Sequence, residues 1–221
     1  MMEISPREFR ARTGIDLGTS VNPDHVDKIV APRDLVKIEM MLRMRKEYLR
    51  KLLDSITLER KEEFPYRGLE FTVETVGGSG PMRSQTFVEE PKILSLVKGL
   101  GGISSAFCGE SGFATLAPYI LLGRNTDGHY CLAHYIPPIV EEHNSVGRVL
   151  LDGTHRASLV SAVGNGMAAL IIKGVTVPFP ADPVTAEEVR WVAEKPTRRT
   201  ERFRNLNPNF FRDLKWIGVD G

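Results

Sequence analysis

Leu35, Ile38, Leu42, Leu49, Leu52 and Ile56 recur at three- and four-residue steps, a spacing that predicts one long amphipathic helix from about 32 to 56. Arg43, Arg45, Lys46, Glu47, Arg50 and Lys51 fill most of the remaining surface, and Pro32 suits the first turn, where a missing donor costs nothing. Leu69, Phe71 and Val73 alternate with Glu70, Thr72 and Glu74, which predicts a half-buried strand over 69–76. It runs into Gly77-Gly78-Ser79-Gly80-Pro81, a turn or loop. A short helix is expected near 92–98 and a strand near 115–123. The stretch YCLAHYIPPIVEE (130–142) predicts a strand broken at Pro137-Pro138, as at an edge or a bent entry.

Further along, GRVLL (147–151) predicts a buried strand, HRASLVSAV (155–163) a helix stopped at Gly164, and AALIIKGV (168–175) another strand. Strand, helix and strand in so short a span predict a crossover joining parallel strands. Thr185-Ala186-Glu187-Glu188 has the form of a capping box for a helix carrying Val189, Val192 and Ala193, ended by Pro196. A basic tail follows.

The chain has 221 residues and a formal net charge of +1. That length accommodates one substantial core, or a main domain with an appendage. The near-zero charge gives no global field toward nucleic acid or anionic membrane. MAALII and YILL, the longest apolar stretches, fall far short of a membrane span, and the charged N-terminus does not read as a signal peptide. Cys108 and Cys131 are the two cysteines, too few for a disulfide framework or an all-thiolate zinc site. The expectation is a cytoplasmic protein with reduced thiols.

The densest chemistry lies in VLLDGTHRA (149–157), where three apolar residues run into an acid, a glycine, a hydroxyl and two basic side chains. As a strand-to-helix corner, Gly153 permits a backbone that other residues avoid and lets a ligand approach closely. Thr154 is expected to cap a helix starting at His155. The unpaired N–H groups of that first turn, with the positive end of the dipole, make a phosphate seat. Arg156 adds a planar fork for phosphate oxygens, and His155 a donor that titrates near neutrality. Asp152, at the strand's carboxyl end, is placed to hold magnesium or accept a proton. The bland alternative is an ordinary strand end, a helix cap and a solvated His-Arg pair.

VLLDGTHRASLVSAVG followed by AALIIKGV resembles the signature region of the ParB/sulfiredoxin superfamily: a strand, an Asp-Gly-x-His-Arg turn, a helix ending in glycine, and another strand. YIPPIVEE is similar to the strand that precedes it. The resemblance implies an α/β fold with a mixed-sheet core that binds nucleotides, their phosphates lying against this turn. It implies a nucleotide-binding domain over 1–180, with an insertion near 77–128, and a helical, basic C-terminal extension over 181–221. The sulfiredoxin branch carries a catalytic cysteine in the motif, where this chain has Thr154. The chromosome-partitioning branch adds a helix-turn-helix domain for which too little chain remains.

The free serine kinase branch resembles the chain at three places. Its Asp-Gly-His-His-Arg turn corresponds to Asp152–Arg156, with Thr154 in place of the first histidine. Its first helix opens with proline and a catalytic acid, here Pro32 and Asp34. Its tail contacts the substrate, and KPTRRTERFRNLNP (195–208) offers Lys195, Thr197, Arg198 and Thr200 as counterparts. The branch implies transfer of a phosphoryl group from ADP or ATP, with CTP as a further candidate, to a small hydroxyl compound such as free serine. Asp152 would hold Mg2+ or position the nucleophile, Asp34 being the alternative base. Gly153, Thr154, His155 and Arg156 would hold phosphate. The competing expectation is a ParB-type, nucleotide-gated DNA-binding module with little or no turnover.

Other features point less far. Gly77–Gly80 lacks the lysine-serine ending of a P-loop. Gly109-Glu110-Ser111-Gly112 meets only half of a nucleophile elbow, and Cys108 reads as a small buried hydrophobe. His129, His134 and His143 are too scattered for one metal site. Arg198, Arg199, Arg202 and Arg204, with Phe203 among them, suit an anionic substrate, a nucleic-acid backbone or a solvated tail.

Overall fold

A computed structural model describes residues 3–17, 26–103, 116–164 and 166–217. It is a mixed α/β protein whose contacts divide into two compact units, Met1–Gly68 with Ala117–Ile136 and Arg212–Gly221, and Leu69–Leu116 with Pro137–Phe211. The range 77–128 contributes to both. No helix among the described residues is long and apolar enough to cross a membrane.

The first unit contains β1 (Glu3–Ile4), α1 (Pro6–Thr13), β2 (Lys28–Val30), β3 (Lys37–Arg43), α2 (Lys46–Asp54), β7 (Tyr119–Arg124) and β8 (Tyr130–Tyr135). Ser5 caps α1 through a complete capping box with Glu8. The strands form one sheet in the order β1-β2-β8-β7-β3, with only β2 and β8 parallel. Phe9, Ile29, Leu52, Leu53, Ile56, Leu121 and Leu132 are buried in its core.

The single helix expected over 32–56 is instead a 3-10 turn at Pro32–Asp34, the strand β3 and the nine-residue helix α2. Val36, Ile38 and Met40 also alternate with Lys37 and Glu39. That two-residue period competes with the helical one, and antiparallel pairing with β7 decides it. Asp34 therefore ends a turn, half-buried, rather than opening a helix.

The second unit holds β4 (Phe71–Gly77), β5 (Met82–Arg83), β6 (Phe87–Glu89), α3 (Glu90–Ile103), β9 (Ile139–His143), β10 (Gly147–Asp152), α4 (Thr154–Ala162), β11 (Gly166–Ile172), β12 (Arg190–Val192) and α5 (Arg199–Arg202). Its main sheet runs β4-β11-β9-β10-β5, and β6 pairs separately with β12. Val76, Val140, Leu150, Ala157, Val160, Met167, Ala169 and Ile171 form the core beneath α4.

The expected strands over 69–76 and 147–151 and the helix over 155–163 are present, with small shifts at their ends. Four expectations need correction. Pro137-Pro138 does not bend one strand; it separates β8 and β9, which belong to different sheets. The β10-α4-β11 unit does not join parallel strands, because β9 lies between them, antiparallel to β10 and parallel to β11. The parallel pair is β9 with β11, and a hairpin plus α4 makes the long connection that such a pair requires. The helix near 92–98 extends over Glu90–Ile103 in spite of Gly99, Gly101 and Gly102. No helix follows Thr185. The Glu188 carboxylate accepts from Thr185 N–H at 2.8 Å, but directly afterwards Arg190–Val192 pairs with β6, and that pairing replaces a short helix before Pro196.

The glycine-rich loop after β4 packs against α4. A Cβ on Gly78 would fall on the Ser161 backbone nitrogen, with Ser161 Cα at 2.7 Å and Ala157 O at 3.0 Å. The fully buried Arg83 braces the loop, its guanidinium donating to Pro81 O at 2.5 Å and to Gly78 O. Burial lowers the Arg83 pKa to about 10. Gly80, by contrast, has only Gly77 O at 3.4 Å from an added Cβ. Gly78→Ala is expected to cost about 3 kcal/mol through backbone overpacking, and Gly80→Ala next to nothing. Thermal melts of both variants check this; equal melting temperatures would remove the packing role.

Candidate functional site

Val149 and Leu150 are fully buried in β10, which delivers Asp152 to the sheet edge where α4 begins. Gly153 is the N-cap, with φ +94°, a conformation that favours glycine. A Cβ there would also meet the Pro138 side chain at 2.7 and 2.9 Å. The Pro137-Pro138 segment thus walls one side of the turn.

Contrary to expectation, Thr154 does not cap the helix. It is the first residue of α4, Gly153 supplies no side-chain cap, and Thr154 Oγ1 is buried without a hydrogen-bond partner among the described residues. The first-turn N–H groups therefore lack a side-chain acceptor from the cap. Asp152 and Arg156 pair at 2.6 Å, both side chains mostly buried. Burial raises the Asp152 pKa, opposed by Arg156 and by the Gly153 backbone N–H.

His155 Nε2 accepts a 3.1 Å hydrogen bond from the Glu89 backbone N–H, which makes that nitrogen an acceptor and the ring neutral. Burial, and then Lys92 and Lys195, lower its pKa to about 4. The Glu89 carboxylate lies 2.6 Å from Lys92 Nζ, 3.5 Å from Lys195 Nζ and 3.9 Å from His155 Nε2. Burial pushes the Glu89 pKa up, but Lys92 and Lys195 hold it below its ordinary value. Burial and the nearby Lys92 lower the Lys195 pKa in turn. The tail lies alongside this cluster: Thr86 N–H and Oγ1 both donate to Arg202 O at 3.0 Å, while the Arg202 guanidinium donates to Pro196 O and Thr197 O.

Of the residues singled out from the sequence, the structure gathers Asp152, Gly153, Thr154, His155, Arg156 and Lys195 around one turn. Thr197 and Arg198 are exposed on the loop that follows Lys195, and Thr200 is exposed in α5. Asp34 lies in the other unit. Glu89 and Lys92 belong to the cluster yet carry no sequence motif. Their only signal is Val88-Glu89-Glu90-Pro91-Lys92, an acidic strand end running into a proline-opened helix. The strongest basic run is largely taken up internally: Arg204 pairs with Glu188 at 2.8 Å, Arg199 stacks 4.5 Å over Phe211, and Arg202 holds the tail loop.

Among the described residues, the histidines away from the turn lie in pairs: His129 with Asp27, His134 with Tyr48, and His143 with the buried Glu141. Among the described residues no three His, Cys, Asp or Glu side chains gather as a metal site. Cys108 and the Gly109–Gly112 stretch lie outside the described residues. No protein-family model, curated protein or solved structure matches the chain.

Proposed function

We propose that the second unit is a ParB/sulfiredoxin-like nucleotide-binding domain and that the protein transfers a phosphoryl group from a nucleotide, ADP or ATP, to a small hydroxyl compound such as free serine. The observation that carries the reading is the charge balance at the start of α4. With His155 neutral, three cations, Lys92, Lys195 and Arg156, gather with two carboxylates, Glu89 and Asp152, at a helix start whose N-cap supplies no side-chain acceptor. A partly buried lysine with a lowered pKa next to a second lysine is a place for an anion.

In this reading the first-turn N–H groups and Arg156 hold phosphate oxygens, and Lys92 and Lys195 turn from Glu89 toward the transferring group. The acceptor hydroxyl gives its proton to a carboxylate as its oxygen bonds to phosphorus. The bond from phosphorus to the nucleotide breaks, and the nucleotide leaves one phosphate shorter. Asp152 is the preferred base, because burial raises its pKa and so strengthens it as a proton acceptor. Glu89 is the other carboxylate in question. One carboxylate plus substrate phosphates suits Mg2+; in the alternative where Asp152 holds the ion, which would supply charge neutralisation at the phosphates, Glu89 takes the proton. Preorganised electrostatics carry most of such a reaction. A cytoplasmic location accords with the pool of nucleotides and free amino acids that it requires.

Phosphorus NMR with Mg2+ and a pool of free amino acids, offering ADP, ATP and CTP in turn, tests this. A new phosphomonoester signal is expected, and its absence with every nucleotide sinks the phosphotransferase. Nucleotide line broadening without turnover, together with duplex binding that weakens steeply with salt, would favour the ParB-type DNA-binding module. The internal commitments of Arg199, Arg202 and Arg204 weigh against that module.

A further inference from the structure

β5 and β10 run parallel, with Arg83 opposite Leu150, so both strands end at the same edge of the sheet. Asp152, Gly153 and Thr154 follow on one; Ser84 and Gln85 follow on the other. Carboxyl ends of neighbouring parallel strands are where open α/β sheets take ligands. Ser84 and Thr154 are almost fully buried, and neither hydroxyl has a hydrogen-bond partner among the described residues. The buried Oε1 of the half-buried Gln85 also lacks one.

Buried polar groups are rarely left unpaired, because each then carries the full cost of losing water. Three of them follow the ends of two adjacent parallel strands beside a helix start, where one polar ligand could satisfy them together. Gln85 Oε1 accepts only, so the ligand must bring an N–H or O–H donor, whereas the hydroxyls of Ser84 and Thr154 match a donor or an acceptor. Gln85 leads directly into Thr86, which holds the 195–202 loop through Arg202 O.

We propose that Ser84, Gln85 and Thr154 form the recess for the acceptor's polar head, a donor-bearing group such as the ammonium of an amino acid, rather than for the nucleotide. The proposal rests on the phosphotransferase reading for what the acceptor does, but not for whether the recess binds it. Nothing in the local sequence Met82-Arg83-Ser84-Gln85-Thr86 marks these residues.

Ser84→Ala and Gln85→Met test it by two routes. In ligand-free protein both variants should melt at or above the wild-type temperature, since each removes an unsatisfied buried group. Clear destabilisation of both would mean that the groups are already satisfied within the fold, and would overturn the proposal. With L-serine as the probe, both variants should raise the serine KM more than tenfold while keeping the ADP dissociation constant within about twofold. Equal loss of ADP and serine binding would assign the recess to the nucleotide, and unchanged serine binding would assign it to neither; both overturn the proposal. Should wild type bind serine without turning it over, the phosphotransferase reading fails alone. The recess then stands if saturation-transfer NMR shows serine binding lost in Gln85→Met, and falls if binding persists. A wild-type protein that binds no member of the amino-acid pool also overturns it.

Discussion

Asp152→Asn is expected to lower phosphotransfer by about a thousandfold, the upper range for losing a positioned acid-base group, while leaving the fold intact. Asparagine has nearly the same shape, and its side-chain oxygen can still accept from Arg156 and from the Gly153 N–H that the carboxylate now engages. What disappears is the negative charge. Asp152 has little solvent and one cationic partner at 2.6 Å, and burial pulls its pKa upward. In wild type, the acid limb of kcat/KM is therefore expected to lie above the ordinary carboxylate range, and the residual activity of Asp152→Asn to lose that limb. Initial rates from pH 4 to 8, with a melt at each pH as a fold control, make the measurement. Turnover within tenfold of wild type would remove Asp152 from the chemistry and leave Glu89 as the carboxylate of the turn.

The turn is legible in sequence because its geometry is local. An acid, a glycine at positive φ, and a basic residue four positions after the acid on the first turn of a helix all lie within five residues. The rest of the cluster is not local. Glu89 and Lys92 reach His155 because β6 pairs with β12 and because Thr86 binds Arg202 O, contacts spanning about a hundred residues that no window of sequence displays. Lys195 comes from that same closure. The resemblance nominated Lys195 as a substrate contact, and the fold sets its ammonium 3.5 Å from the Glu89 carboxylate. Segments where two periodicities overlap mislead for a different reason. Val36-Lys37-Ile38-Glu39-Met40 satisfies a two-residue period inside a longer three- and four-residue pattern, and the pairing partner β7 lies some eighty residues away. At 185–192 the local capping signal is real, as the Glu188 to Thr185 contact demonstrates, yet strand pairing with β6 outweighs it. Local propensity nominates an element, and its partners decide whether it survives.

Acidification from pH 6.5 should destabilise both units before any ordinary carboxylate titrates, and two histidines are responsible. Burial lowers the pKa of the fully buried His134 to about 3, its Nε2 lying 2.7 Å from the Tyr48 hydroxyl; His155 falls to about 4. In the unfolded chain both titrate near 6.5. Their contribution to stability is therefore complete above pH 6.5 and is lost as pH falls toward the folded values, because the unfolded state takes up protons that the native state refuses. Each histidine contributes a slope of about 1.4 kcal/mol per pH unit, hence about 2 kcal/mol between pH 6.5 and 5. His134 belongs to the first unit, as does Trp216; His155 belongs to the second, as does Trp191. These are the chain's two tryptophans, so urea melts of Trp191→Phe and Trp216→Phe proteins follow one unit each by fluorescence. His134→Gln should flatten the acid slope reported by Trp216 and leave that of Trp191 unchanged, whatever the substitution costs at neutral pH. An unaltered Trp216 slope would mean that His134 is protonated inside the fold. A buried imidazolium whose assigned partner is a phenol that burial also keeps protonated would then need a counter-charge that the Tyr48 pair does not provide.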